Sequence, residues 1–140
     1  MIRKANATWK GGLKSGKGVV STETKVLSNA NYNFVQRFEN EPGTNPEELV
    51  AAAHAACYAM ALSAALEKAN MTPESVDASA ALTFEKLDIG FTTTGIHLEV
   101  LAKVPGANQE AFLKVAEEAK RGCPISRLLN TTITLEAKLA

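Results

Sequence analysis

Cys57 and Cys123 are the only thiols in this chain of 140 residues, and they stand 66 positions apart. Such a pair can be redox-active, can bind a metal, or can sit inert as two small buried hydrophobes. The chain opens Met1-Ile2-Arg3-Lys4-Ala5-Asn6, without the apolar run of a secretory leader, so a cytoplasmic location is expected. In that reducing compartment a static disulfide staple is disfavoured.

The two cysteines have opposite local settings. Cys123 follows Gly122 and opens Cys123-Pro124-Ile125-Ser126-Arg127, at or near a helix N-terminus, where free N–H groups favour a thiolate. Cys57 lies mid-helix among alanines, where desolvation raises a thiol pKa. On local sequence Cys123 is the better nucleophile, and Cys57 needs a cation delivered from elsewhere in the fold.

Two further patterns invite chemistry. His54-x-x-Cys57 puts two metal-capable side chains one turn apart on a helix face, and Cys123 makes a third candidate zinc ligand. A structural zinc site takes four ligands, and His97, the other histidine, lies mid-strand. No metal is expected, and His54 reads as a polar group hydrogen-bonded at a helix surface or interface. Gly11-x-x-x-x-Gly16-Lys17 imitates a phosphate-binding loop, but Gly18 replaces the Ser or Thr that holds magnesium, and a Val/Thr-rich strand follows in place of a helix. It reads as a hairpin turn.

The elements that position these residues follow from pattern. Ile2 to Trp9 and Val19 to Leu27 read as strands about the 11–18 turn. Tyr32 to Phe38 alternates with period two, which predicts a strand with Tyr32, Phe34, Gln36 and Phe38 on one face and Arg37 on the other. Thr44-Asn45-Pro46-Glu47-Glu48 carries capping side chains, proline at the first helical position and two first-turn acids. A long central helix is therefore predicted over about 46–69, ended by Asn70 and Pro73. Almost every face of it from Ala51 to Leu66 is apolar or small, so it needs cover on several sides, and a second subunit is expected to complete that cover. Strands over 76–86 and 95–104, a second helix over about 108–121, a short one from Cys123 to about Leu129, and a closing strand over 131–139 follow. That order is α+β with mostly antiparallel sheets, in one domain over 1–140.

Bulk composition excludes some partners. Fifteen basic residues balance fifteen acidic ones, which argues against nucleic acid or an anionic membrane surface. The longest apolar stretch, Leu49 to Leu66, is alanine-rich and contains His54, which suits a buried helix better than a membrane span.

Thr44-Asn45-Pro46-Glu47-Glu48-Leu49-Val50-Ala51-Ala52-Ala53-His54-Ala55-Ala56-Cys57 resembles the segment around the reactive cysteine of the osmotically inducible protein C/organic hydroperoxide resistance family. Cys123-Pro124-Ile125-Ser126-Arg127 resembles its second cysteine box, and order, spacing and length agree over essentially the whole chain. Arg37, twenty residues before Cys57, resembles the arginine of the osmotically inducible subgroup; in the hydroperoxide resistance subgroup it lies much nearer the N-terminus.

The resemblance implies an intertwined homodimer and a thiol peroxidase, with Cys57 the peroxidatic thiol, Cys123 the resolving thiol, Arg37 the activating cation and Glu47 the acid that holds Arg37. It implies organic hydroperoxides as preferred substrates over hydrogen peroxide, a dithiol reductant of lipoyl type in one subgroup, and no flavin, haem or metal. Glu47 and Cys57 are ten positions apart on one helix, roughly 15 Å along its axis, farther than one guanidinium can easily touch. Glu47 and Arg37 are therefore expected to serve the partner subunit's active site. The main rival is a non-catalytic dimeric binding protein of the same fold for fatty acyl or other small apolar ligands; a zinc site on His54, Cys57 and Cys123 is the third reading.

Overall fold

Glycines and short polar residues turn the N-terminal strands back on each other. β1 (Ala5–Lys10) and β2 (Lys17–Thr22) pair antiparallel, from Ala5 opposite Thr22 to Lys10 opposite Lys17. The 11–16 segment is the turn between them, closed by a 2.7 Å bond from Gly16 N–H to Gly12 O, so the imitation phosphate loop is a hairpin as expected. A Cβ at Gly18 would lie 2.5 Å from the Tyr32 ring, so glycine is what lets the Trp9 and Tyr32 rings approach this strand. β3 (Ala30–Tyr32) completes a three-stranded antiparallel sheet in the order β1-β2-β3.

The expected strand over 32–38 is a correction. The chain leaves β3 at Tyr32 and forms a short helix, α1 (Phe34–Phe38). Asn33 caps it, its Oδ1 accepting from Gln36 N–H at 2.9 Å. An alternation over only seven residues is compatible with either element, and the cap tipped the balance to helix. Phe34 and Phe38, read as same-face strand neighbours, are instead one helical turn apart with centroids at 4.7 Å.

The central helix forms where predicted. α2 (Pro46–Lys68) is capped by Asn45, whose Oδ1 accepts from Glu48 N–H at 2.8 Å. It ends where Asn70 adopts φ +58° and the N–H groups of Asn70 and Met71 return to Glu67 O and Leu66 O. By length and composition α2 is apolar enough to cross a membrane. His54, Tyr58, Leu62 and Leu66, four residues apart, are nevertheless its buried stripe, and Tyr58, Leu62 and Leu66 join the core of the C-terminal part of the chain.

That part is built on β4 (Ser75–Leu87), β5 (Gly90–Lys103) and β6 (Thr132–Leu139), in the order β4-β5-β6. β4 and β5 form an antiparallel hairpin, whereas β5 and β6 pair parallel. A parallel pair needs a crossover, supplied by α3 (Gln109–Gly122) and α4 (Pro124–Leu128). Pairing is mostly antiparallel, with this one exception. The alternation read in 95–104 holds: Ile96, Leu98, Val100, Ala102 and Val104 are buried, and all but Ile96 belong to one core cluster with Phe112, Ala116, Ala119 and Cys123. The computed structural model describes all 140 residues, which group into two units, Met1–Leu49 and Val50–Ala140.

Candidate thiol site

Pro124 cannot continue α3, so the chain breaks at Cys123 and restarts as α4 with proline at its first position. Cys123 is thereby both the residue that closes α3, its N–H on Ala119 O at 2.8 Å, and the residue that opens α4. Its side chain is fully buried and its Sγ lies 3.2 Å from Cys57 Sγ; both cysteines are free thiols. Cys57 is only partly buried, so one sulfur of the pair is open to approach while the other is not.

A second contact runs parallel to the first. His54, one turn before Cys57, meets Ser126, three residues after Cys123, with Nε2 and Oγ at 2.7 Å. The result is a pair of rungs, His54–Ser126 and Cys57–Cys123, between α2 and the start of α4. Next to Cys57, the Tyr58 hydroxyl donates to Ala116 O at 3.0 Å and ties α2 to α3. His54 is therefore wholly buried and hydrogen-bonded at an interface between helices, the second of the two settings its sequence context suggested. Ser126 and Tyr58 had no role in the sequence reading. The available signal was the matched spacing, three residues before one cysteine and three after the other.

The electrostatics of the pair follow from burial and from who donates. Desolvation raises the Cys57 thiol above its ordinary value, and the nearby Cys123 sulfur adds to the rise, against a lowering by the Ile125 N–H. Desolvation also works against the Cys123 thiolate, yet the Ser126 N–H, the Cys57 thiol, the Ser126 hydroxyl and the Ile125 N–H together hold Cys123 below its ordinary value. Of the two sulfurs, Cys123 is the better stabilised as a thiolate, as local sequence implied. His54 is pushed down by burial and stays neutral.

The other two expected site residues meet within the N-terminal unit. Arg37 on α1 donates to Glu47 in the first turn of α2 through Nη2 at 2.8 Å and through Nε at 3.2 Å, a bidentate pairing. The Arg37 guanidinium also lies 5.2 Å from the Phe38 ring centroid. So the structure brings together Cys57 with Cys123, and Arg37 with Glu47. Of the three candidate zinc ligands, His54 has its Nε2 on Ser126. A different trio gathers on the β5–β6 surface, His97, Glu99 and Glu136, where the parallel register sets Glu99 opposite Glu136 and Lys138 pairs with Glu136 at 2.6 Å.

A family model described as OsmC-like protein matches residues 38–138. The chain is 48% identical to Peroxiredoxin OsmC of Escherichia coli strain K12 over 137 residues, 98% of this chain and 96% of that one. Its fold is similar to the crystal structure of the organic hydroperoxide resistance protein OhrB of Bacillus subtilis, with TM-score 0.70 and 25% identity over 96% of this chain and 98% of that one. An OsmC-like protein of Vibrio cholerae superposes with TM-score 0.77 over 99% of both chains at 18% identity, a likeness of fold alone.

Proposed function

The chain belongs to the OsmC-like family, and from that membership we propose that it is a cysteine-based thiol peroxidase that reduces hydroperoxides, organic ones above all, in the cytoplasm. The observation that carries the reading is the 3.2 Å approach of Cys57 to Cys123. Forming a disulfide from it needs about 1 Å of further approach. The names of the relatives, a peroxiredoxin and an organic hydroperoxide resistance protein, support it as well.

The partly exposed Cys57 is the group a peroxide can reach. Its thiolate attacks the distal oxygen, the O–O bond breaks, and the alkoxide leaves with a proton as alcohol, leaving Cys57 as a sulfenic acid. Cys123 then attacks the Cys57 sulfur, hydroxide departs with the remaining proton as water, and a Cys57–Cys123 disulfide forms. A dithiol supplies the two electrons that reopen it. Burial around the pair favours an alkyl tail, at about 0.8 kcal/mol per CH₂.

One demand remains. Burial disfavours the Cys57 thiolate, so a cation is needed to turn Cys57 into the thiolate and to offset charge on the leaving alkoxide. Arg37, held bidentate by Glu47, is that cation, delivered across a homodimer from the partner subunit. A second copy is supported by α2 itself. Within one chain it buries a single stripe and leaves Met60 at 76% exposure, and Ala55, Ala56 and Ala59 line a groove of about 680 Å³ with β4–β6.

The test is thiol counting after stoichiometric cumene hydroperoxide. Wild type should lose two thiols rapidly, Cys123→Ser should lose one as sulfenic acid, and Cys57→Ser should stay inert. If both wild-type thiols persist over minutes, the peroxidase reading falls and a dimeric binding protein for small apolar or fatty acyl ligands takes its place.

A further inference from the structure

The peroxidase chemistry above, on which this inference rests, leaves one buried group without a task. His54 is fully buried, its Nε2 lies on Ser126 Oγ at 2.7 Å, and its Nδ1 has no hydrogen-bond partner. An unpaired buried N–H is rarer than an unpaired acceptor, which assigns the ring proton to Nε2 and leaves Nδ1 as the lone acceptor. Nε2–H then donates to Ser126 Oγ. That bond occupies a lone pair of the hydroxyl and leaves its own hydrogen for the Cys123 sulfur, which Ser126 also reaches with its backbone N–H.

We propose that His54 is a positioning residue that, through Ser126, keeps a hydroxyl hydrogen bond on the Cys123 sulfur and so makes Cys123 the leaving thiolate when a dithiol reopens the Cys57–Cys123 disulfide. The direction of attack follows from two independent facts. Cys57 is partly exposed and Cys123 is fully buried, so the reductant's thiolate reaches Cys57. In exchange the better-stabilised sulfur leaves faster, and the Ser126 hydroxyl stabilises Cys123. The first thiolate bonds to Cys57 and the S–S electron pair goes to Cys123. The second thiol of the dithiol then closes onto its own mixed-disulfide sulfur and frees Cys57. The two protons lost by the dithiol return to the cysteine pair, and the dithiol leaves as a disulfide.

The titratable groups that bear on Cys123 are Cys57 and Tyr58 from α2 and, through Ser126, His54; Glu117 of α3 acts on Tyr58. The deciding experiment follows Cys123 ionisation in the reduced Cys57→Ser protein by thiolate absorbance and by alkylation rate against pH. Adding Ser126→Ala should raise the midpoint by about one unit, roughly a tenfold loss of thiolate at a given pH. His54→Leu should do the same, and His54→Gln, whose side-chain N–H can replace Nε2–H, should restore most of the loss. In the two-cysteine protein, Ser126→Ala and His54→Leu should slow reduction of the disulfide by a small dithiol roughly threefold. A Cys123 midpoint unmoved by Ser126→Ala, or His54→Gln behaving like His54→Leu, overturns the proposal. The titration needs no peroxide, so its result stands whether or not the peroxidase reading does, and its failure leaves that reading intact.

Discussion

The two units of this chain differ sharply in what they bury. From Val50 to Ala140 a dozen residues, Tyr58, Leu62, Leu98 and Phe112 among them, form a covered apolar core. From Met1 to Leu49 the covered positions are Gly16, Gly18 and Ser21, while Leu13, Val26 and Val35 stand exposed. The sulfur pair thus sits in a unit that supplies its own core, whereas the Arg37–Glu47 pair sits in one that does not. The proposed reaction needs both pairs, and a second copy of the chain is the partner proposed to bring them together.

Core substitutions should break the comparison most visibly. Phe112→Ala is expected to cost about 3–5 kcal/mol in urea unfolding, whereas Val26→Ala, at an exposed site, should stay within about 0.5 kcal/mol. Equal losses at the two positions would mean that the N-terminal unit is not the weaker one.

Charge delivery comes next in size. Arg37→Met should leave the fold intact and lower kcat/KM for cumene hydroperoxide by about 10²–10³-fold, and Glu47→Ala should follow it. Arg37→Lys should rescue little, because an ammonium cannot reproduce the bidentate hold on Glu47. A variant lacking Arg37 with wild-type rates would remove this residue from the reaction.

Mixing subunits sharpens where the charge acts. Cys57→Ser and Glu47→Ala chains are each inactive in the proposed reaction, but with sharing in trans each hybrid dimer should recover one of its two sites, about one site in four of a random equimolar mixture, as two-fold symmetry dictates. No recovery places Glu47 and Cys57 in the same subunit's site.

The smallest expected effect is on pH. Burial lowers the folded pKa of His54 from its ordinary value of 6.5. As pH falls through 6.5 the unfolded chain takes up the proton first, so this contribution is complete above 6.5 and is lost progressively below it. The melting temperature of wild type should therefore fall more steeply below pH 6.5 than that of His54→Gln, as differential scanning calorimetry would show. Parallel slopes would mean that His54 is not held neutral by the fold.

Much of the architecture was legible because its signals are local. Asn45-Pro46 at one end of α2 and Asn70 at the other act over a single turn, and the alternation from Ile96 to Val104 needs only its own strand. The segment 32–38 differs for the converse reason: an alternation over seven residues is too short to tell strand from helix, and the Asn33 cap decides it. The parallel β5–β6 pairing had no local signature, since strand direction depends on the crossover that α3 and α4 make.

The sequence by itself determined the helices that carry the two cysteines and Glu47, the break at Cys123-Pro124, and the contrast between an alanine-flanked and a helix-opening cysteine. Only the tertiary structure decided that the two sulfurs meet at 3.2 Å, that His54 is buried on Ser126, and that Arg37 grips Glu47. The sulfur pair and the His54–Ser126 pair join residues 66 and 72 positions apart. Contacts at such separations form only when a whole core closes around them, and no local pattern of residues specifies that closure.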